Sequence, residues 1–224
     1  MSHSTDNILK SLAQAMSIFE NNFPLASLKK TNFNQQPLIT LLNCSDSRVP
    51  VNIFGDSFNR IFCVENIGNQ VKTSEGSIMY GLMHLHTPIM LVVGHSDCGA
   101  LKAANSDYSK EPEPIIRELN IVKRSLTEIA YIQPLNEDPQ VKFTQLAELN
   151  VDMQIRYLLE NGSVAELVKN RSLSMIGMVV DLHNVYNEGY GKTYIINLNG
   201  EQDPAKIKQL INQKDLSVQI QRLT

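Results

Sequence analysis

Cysteine is scarce in this sequence, long apolar runs are missing, and neither sign of charge is in excess. Three cysteines in 224 residues are too few for a disulfide framework, which leaves the thiols for packing or for metal. No apolar run approaches the roughly 20 residues that span a bilayer, so no membrane partner is expected. A formal net charge of −3 supplies no basic stripe, which argues against nucleic acid as a partner. The N-terminus, Met1 to Lys10, is polar and lacks the apolar centre of a secretory signal, so a cytoplasmic location is expected. There is no C-x-x-C pair, which disfavours a thioredoxin-like redox site. No internal repeat, low-complexity segment or linker divides the chain, so residues 1–224 are expected to form one domain.

What the sequence does contain is short, nearly continuous apolar runs separated by helical periods. Hydrophobic residues make up 42% and charged residues 19%, enough apolar material for a core. The runs Pro37 to Asn43, Arg60 to Glu65 and Ile89 to Gly94 read as strands buried on both faces. Ile78, Leu82 and Leu85 mark a helix over Glu75 to His86 between the second and third runs. Strand, helix and strand at this spacing imply a right-handed crossover and parallel pairing. Helical periods follow at Ala100 to Ala104, from Pro114 through Ile129, at Phe143 to Glu160 and after Asp203-Pro204. Asn161-Gly162 reads as the C-cap of the Phe143 to Glu160 helix, and Ser163 to Glu166 as a capping box opening the next. Ser174 to Leu182 and Thr193 to Leu198 are two more strands, and the short connection between them predicts an antiparallel edge strand. Ile8, Leu12, Met16 and Phe19 predict an amphipathic helix over Thr5 to Asn21, part of an N-terminal arm covering residues 1–34. The expected fold is therefore α/β, with about four parallel strands plus an antiparallel edge strand, flanked by helices.

Two polar motifs directly follow apolar runs: Asn43-Cys44-Ser45-Asp46-Ser47-Arg48 and Gly94-His95-Ser96-Asp97-Cys98-Gly99. In a parallel sheet, ligands collect beyond the carboxyl ends of the strands. If those strands are neighbours, Cys44, His95 and Cys98 converge at one crevice. Two thiolates and an imidazole suit tetrahedral zinc, with a fourth position left for water. Asp46 and Arg48 are spaced to pair; alternatively Asp46 itself takes the fourth metal position. The blander readings are that Cys44 is a buried hydrophobe, Cys63 is packing, and Asp97 caps the following helix. His84 and His86 read as structural residues at a helix end, and His183 as capping a turn.

Together, Cys44-Ser-Asp-Ser-Arg48 and His95-Ser-Asp-Cys98-Gly99 resemble the paired signature of the β-class carbonic anhydrases. The resemblance extends through Val49-Pro50, Glu65-Asn-Ile-Gly-Asn69 and the strand Ile89 to Gly94, covering roughly Gln35 to Ala104. It implies one zinc per chain held by Cys44, His95 and Cys98, with Asp46 and Arg48 as a catalytic dyad. The implied reaction is reversible hydration of carbon dioxide to bicarbonate and a proton, by attack of zinc-bound hydroxide. The same scaffold also implies two alternatives: hydrolysis of carbonyl sulfide or carbon disulfide, and a zinc-binding protein without catalysis. The resemblance further implies substrate contacts from the backbone of Gly99 and from Gln35, the latter reaching a neighbouring subunit. A homo-oligomer is expected, a dimer or a tetramer built from dimers, with the N-terminal helix wrapping the partner. Leu41 and Glu65 depart from the tryptophan and arginine with which some bacterial members bind an inhibitory bicarbonate, which puts that regulation in doubt.

Overall fold

A computed structural model describes residues 4–129, 134–211 and 219–224. It divides into two compact units, Met1–Gln36 and Pro37–Thr224. The first holds α1 (Thr5–Asn21) and α2 (Leu25–Lys30). Ser4 caps α1 by accepting from the N–H of Asn7 at 3.3 Å, and no residue of α1 is buried. The helix predicted from Ile8, Leu12, Met16 and Phe19 is thus present, with those four side chains about half exposed.

The second unit is built on a six-stranded sheet. Its strands are β1 (Ile39–Cys44), β2 (Ile61–Asn66), β3 (Ile89–His95), β4 (Ser174–Asp181), β5 (Lys192–Leu198) and β6 (Gln219–Ile220), in the order β2-β1-β3-β4-β5-β6. β2, β1, β3 and β4 are mutually parallel, β5 runs antiparallel to β4, and β6 pairs parallel with β5. The continuous apolar character of β1 and β3 has its cause in burial on both faces. Ile39, Leu41, Leu91 and Val93 join one core cluster, and Leu42, Met90 and Val92 the other. Among the described residues, the α-helices of this unit are α3 (Val71–Met79), α4 (Gly99–Ala104), α5 (Glu113–Ile129), α6 (Pro139–Leu159), α7 (Gly162–Lys169) and α8 (Pro204–Ile211). A five-residue π-turn, Tyr80–His84, extends α3. No described helix is long and apolar enough to cross a membrane.

α6 lies against the sheet because glycines open room for it. A Cβ on Gly177 would sit 2.7 Å from Val151 Cγ1 and 2.9 Å from both Asn197 Cβ and Ile155 Cδ1. One on Gly94, in the adjacent strand, would come within 3.0 Å of Val151 Cγ2. The C-terminal residues are tied to the same helix. Arg222 Nη2 donates to Asp152 Oδ2 at 2.7 Å, and Glu148 accepts from the backbone N–H groups of Leu223 (2.8 Å) and Thr224 (2.9 Å).

Several boundaries differ from the sequence reading, each for a local reason. α3 begins at Val71 rather than Glu75, and the N–H of Val71 is satisfied by Gln154 Oε1 of α6 at 2.8 Å. α6 begins at Pro139, with Asp138 as its N-cap. Asn161 does not close α6 but opens α7, its side chain accepting from the N–H groups of Ser163 and Val164. Beyond the antiparallel β5 lies the two-residue β6, too short to leave a pattern. The stretch Tyr131 to Pro139, whose two prolines predict a loop, lies partly outside the described residues.

Candidate metal centre

β1 and β3 are hydrogen-bonded neighbours, so their last residues, Cys44 and His95, end side by side at the carboxyl edge of the sheet. After His95 the chain turns through Ser96 and Asp97, and Asp97 takes the left-handed conformation at φ 61°. That turn delivers Cys98 to the N-cap of α4, on the same side as His95. The Sγ atoms of Cys44 and Cys98 and a ring nitrogen of His95 all lie within 4.8 Å of one another. All three residues are buried.

The donor set fits a tetrahedral zinc ion. Two thiolates 2.3 Å from such an ion lie about 3.8 Å apart; here Sγ–Sγ is 4.0 Å. His95 Nδ1 is 2.9 Å from the carbonyl of Ser96, an arrangement that makes Nδ1 the donor. Nε2, fully buried, is then left as a bare lone pair with no hydrogen-bond partner among the described residues. A buried polar atom without a partner is costly unless something binds it. The two thiols lie within hydrogen-bonding reach of each other. Cys44 is pulled down to about 4, first by the hydrogen bond from Cys98, with His95 and the N–H of Gly68 adding to it against burial. The hydrogen bond to Cys44 pushes the Cys98 thiol well above the ordinary thiol range, and burial pushes it the same way. Burial opposes a charge on His95, yet the Cys44 thiolate outweighs it and raises the imidazole.

Asp46 and Arg48 border this triangle. The backbone turns tightly here, Val49 N–H bonding to the carbonyl of Asp46 at 3.0 Å. Asp46 Oδ1 accepts from the N–H of Arg48 (3.0 Å) and from its Nε (2.9 Å), and Oδ2 accepts from Nη2 (2.8 Å). The Arg48 hydrogen bonds hold the Asp46 carboxyl far below the usual carboxylate range. Its Oδ2 stands 3.7 Å from His95 Nε2. The pairing foreseen from the spacing is present, formed by a turn rather than by extended chain.

Other expected site residues fall differently. Gly99, at the first turn of α4, is exposed. Gln35 is exposed in irregular chain at the end of the first unit. Asp97 does not cap α4, since that position belongs to Cys98. Instead it accepts from Arg48 and from Lys102. Cys63, read as packing, is exposed on the edge strand β2. His84 stacks on Tyr80 at 4.5 Å, and His183 Nδ1 lies 3.3 Å from Ser96 Oγ. Leu41 is fully buried, and Glu65 accepts from Asn43 Nδ2 at 3.3 Å.

Two supports of the site escaped the sequence reading. Asn43 Nδ2 donates to the carbonyl of Val49 at 2.6 Å, closing the turn that carries Asp46 and Arg48. A buried amide network of Gln70, Asn150 and Gln154 holds the carbonyl of Gly68 (2.6 and 3.0 Å) beneath Cys44. The available signal was polar: Asn150 and Gln154 are one turn apart within the apolar stripe of α6, where a pair of amides needs a partner.

The family model described as carbonic anhydrase matches residues 39–187. A carbonic anhydrase of Candida albicans is 28% identical over 187 residues, covering 74% of this chain and 64% of its own length. One from Emericella nidulans is 28% identical over 211 residues, covering 76% of this chain and 89% of that protein. Among solved structures, a tetrameric β-carbonic anhydrase of Sordaria macrospora superposes with a TM-score of 0.67 at 26% identity, covering 80% of this chain and 93% of the other.

Proposed function

The chain belongs to the β-carbonic anhydrases, and on that premise we propose that it catalyses the reversible hydration of carbon dioxide to bicarbonate and a proton, with zinc held by Cys44, His95 and Cys98. The observation that carries the reading is the bare, buried Nε2 of His95 facing two thiols at a zinc-like separation. When bound there, zinc supplies Lewis acidity that makes hydroxide available near neutral pH. The thiolates of Cys44 and Cys98 offset the ion's charge, so activity rises toward the basic side.

The remaining chemistry belongs to the protein's own side chains. An ionised carboxylate is an acceptor only, so Asp46 takes the hydrogen bond of the attacking oxygen and turns its lone pair toward the carbon of the substrate. Arg48 keeps Asp46 ionised and fixes its plane through the paired Nε and Nη2 contacts of one guanidinium edge. Gly99, in the first turn of α4, has an N–H without an intrahelical acceptor and offers it to a substrate oxygen. Gln35 completes the site from a second copy of the chain, in a homo-oligomer like the tetrameric Sordaria relative. A cytoplasmic location, where three free cysteines stay reduced, belongs to the same reading.

The test is stopped-flow hydration by zinc-loaded protein and by Asp46→Asn. A positioned acid–base group contributes about 10²–10⁴-fold, so Asp46→Asn lowers kcat by about 100-fold or more with zinc content unchanged. An Asp46→Asn protein as fast as the parent would sink the assignment.

A further inference from the structure

Arg48 is a long side chain with 44% of its surface exposed. It is nevertheless gripped from two sides. On one side is Asp46. On the other, Nη1 donates to Asp97 Oδ2 and Nη2 donates to the backbone carbonyl of Asp97, both at 3.2 Å. Asp97 presents carboxylate and carbonyl to the same guanidinium from the left-handed turn at φ 61°, a conformation that aspartate tolerates better than most side chains. Its other oxygen, Oδ1, is taken by Lys102 from the first turns of α4, so the carboxylate is fixed at both ends.

The distances decide whether Asp97 competes with Asp46 or assists it. Arg48 keeps its 2.8 and 2.9 Å contacts to Asp46 while held by Asp97, so the second grip leaves the first intact. Asp46 Oδ2 stands only 3.7 Å from His95 Nε2, close enough that an unrestrained carboxylate would turn onto the metal. We infer that Asp97 is a positioning residue: by anchoring Arg48 from the far side, it keeps Asp46 turned away from the Cys44–His95–Cys98 triangle and the fourth ligand position free. This rests on the proposed roles of Asp46 and Arg48.

The experiment uses full-length protein loaded with cobalt(II), whose visible bands report its ligands, titrated with azide at pH 8. Hydration is measured in parallel on the zinc-loaded forms. Azide needs the fourth position. Asp97→Ala weakens azide binding by about tenfold or more and lowers kcat with metal content unchanged. Asp97→Asn, which keeps the carbonyl contact and tolerates the turn, falls between it and the parent. The Asp46→Ala/Asp97→Ala double variant binds azide as tightly as the parent, because no carboxylate remains to close the site. Azide affinity of Asp97→Ala within twofold of the parent overturns the inference. So does weakened binding that the double variant fails to restore, since that pattern marks a damaged fold. Asp46→Ala alone separates the two readings. If its kcat is unchanged the dyad assignment fails; if its kcat collapses while Asp97→Ala behaves as the parent, only the role of Asp97 fails.

Discussion

Replacing Arg222 by methionine removes one end of a buried ion pair and tests how the C-terminal residues secure α6. Arg222 and Asp152 are 5% and 7% exposed. Arg222 also donates to the carbonyl of Ile196 at 2.7 Å. In the variant, Asp152 keeps only the amide of Asn197, at 2.7 Å. Leaving one buried charge without its partner costs about 3–5 kcal/mol, and solvent screening takes little away at this depth. For a unit of this size that is about 6–20 °C in Tm. The pH dependence has a definite sign. Burial already holds the Asp152 carboxyl above its ordinary 3.8 despite Arg222. A carboxyl raised in the folded state contributes stability that is present below the unfolded value and lost as pH rises through the folded one. Without Arg222 the carboxyl rises further, so the deficit is largest at neutral pH and shrinks toward pH 4. Urea unfolding of both proteins across that range, at constant zinc, reads it directly. Arg222→Met/Asp152→Leu recovers most of the loss, because an apolar pair can replace a buried ion pair. A deficit under about 1 kcal/mol at pH 7.5, or one that grows toward acid, would refute the reasoning.

The other predictions concern the sheet, the amide network and the metal. Gly177→Ala drives a methyl to 2.7 Å from Val151 Cγ1 and costs about 1–3 kcal/mol by overpacking; an unchanged urea midpoint would mean that α6 shifts freely. Asn150→Ala removes one of two partners from the buried Gly68 carbonyl and one of two from the Gln154 amide, Gln70 keeping the other contact to each, and costs about 0.5–1.5 kcal/mol for each hydrogen bond lost, again read by urea unfolding. Cys98→Ser removes a direct ligand and lowers zinc affinity by more than the ~10–100-fold typical of outer partners. Competition with a chelator measures that loss, and full zinc retention would disprove the ligand assignment.

Much of this architecture was legible because the central parallel strands β1 and β3 are buried on both faces; β2, read the same way, is instead a partly exposed edge strand. β1 and β3 therefore appear as unbroken apolar runs, and the polar residues after each stand out. That placed Cys44, His95 and Cys98 at strand ends, where the register of β1 and β3 brings them together. What stayed hidden depends on distant partners. The start of α3 is satisfied by Gln154 from α6 rather than by a local cap, so the sequence around Val71 shows no signal. Asp97 resembled a helix cap because its contact with Arg48, 49 residues away, exists only once the strands are paired. β6 has two residues and no period to read. Asn161 and Ser163 are both competent caps, and only the extended backbone at Asn161 decides between them.

The most direct test of the central claim is stopped-flow hydration of carbon dioxide at pH 8.5, using wild-type protein with one zinc per chain confirmed beforehand. We expect turnover that disappears on chelation, returns with zinc, and is absent from Cys98→Ser. Zinc-loaded wild-type protein that leaves the uncatalysed hydration rate unchanged at this pH would contradict the account.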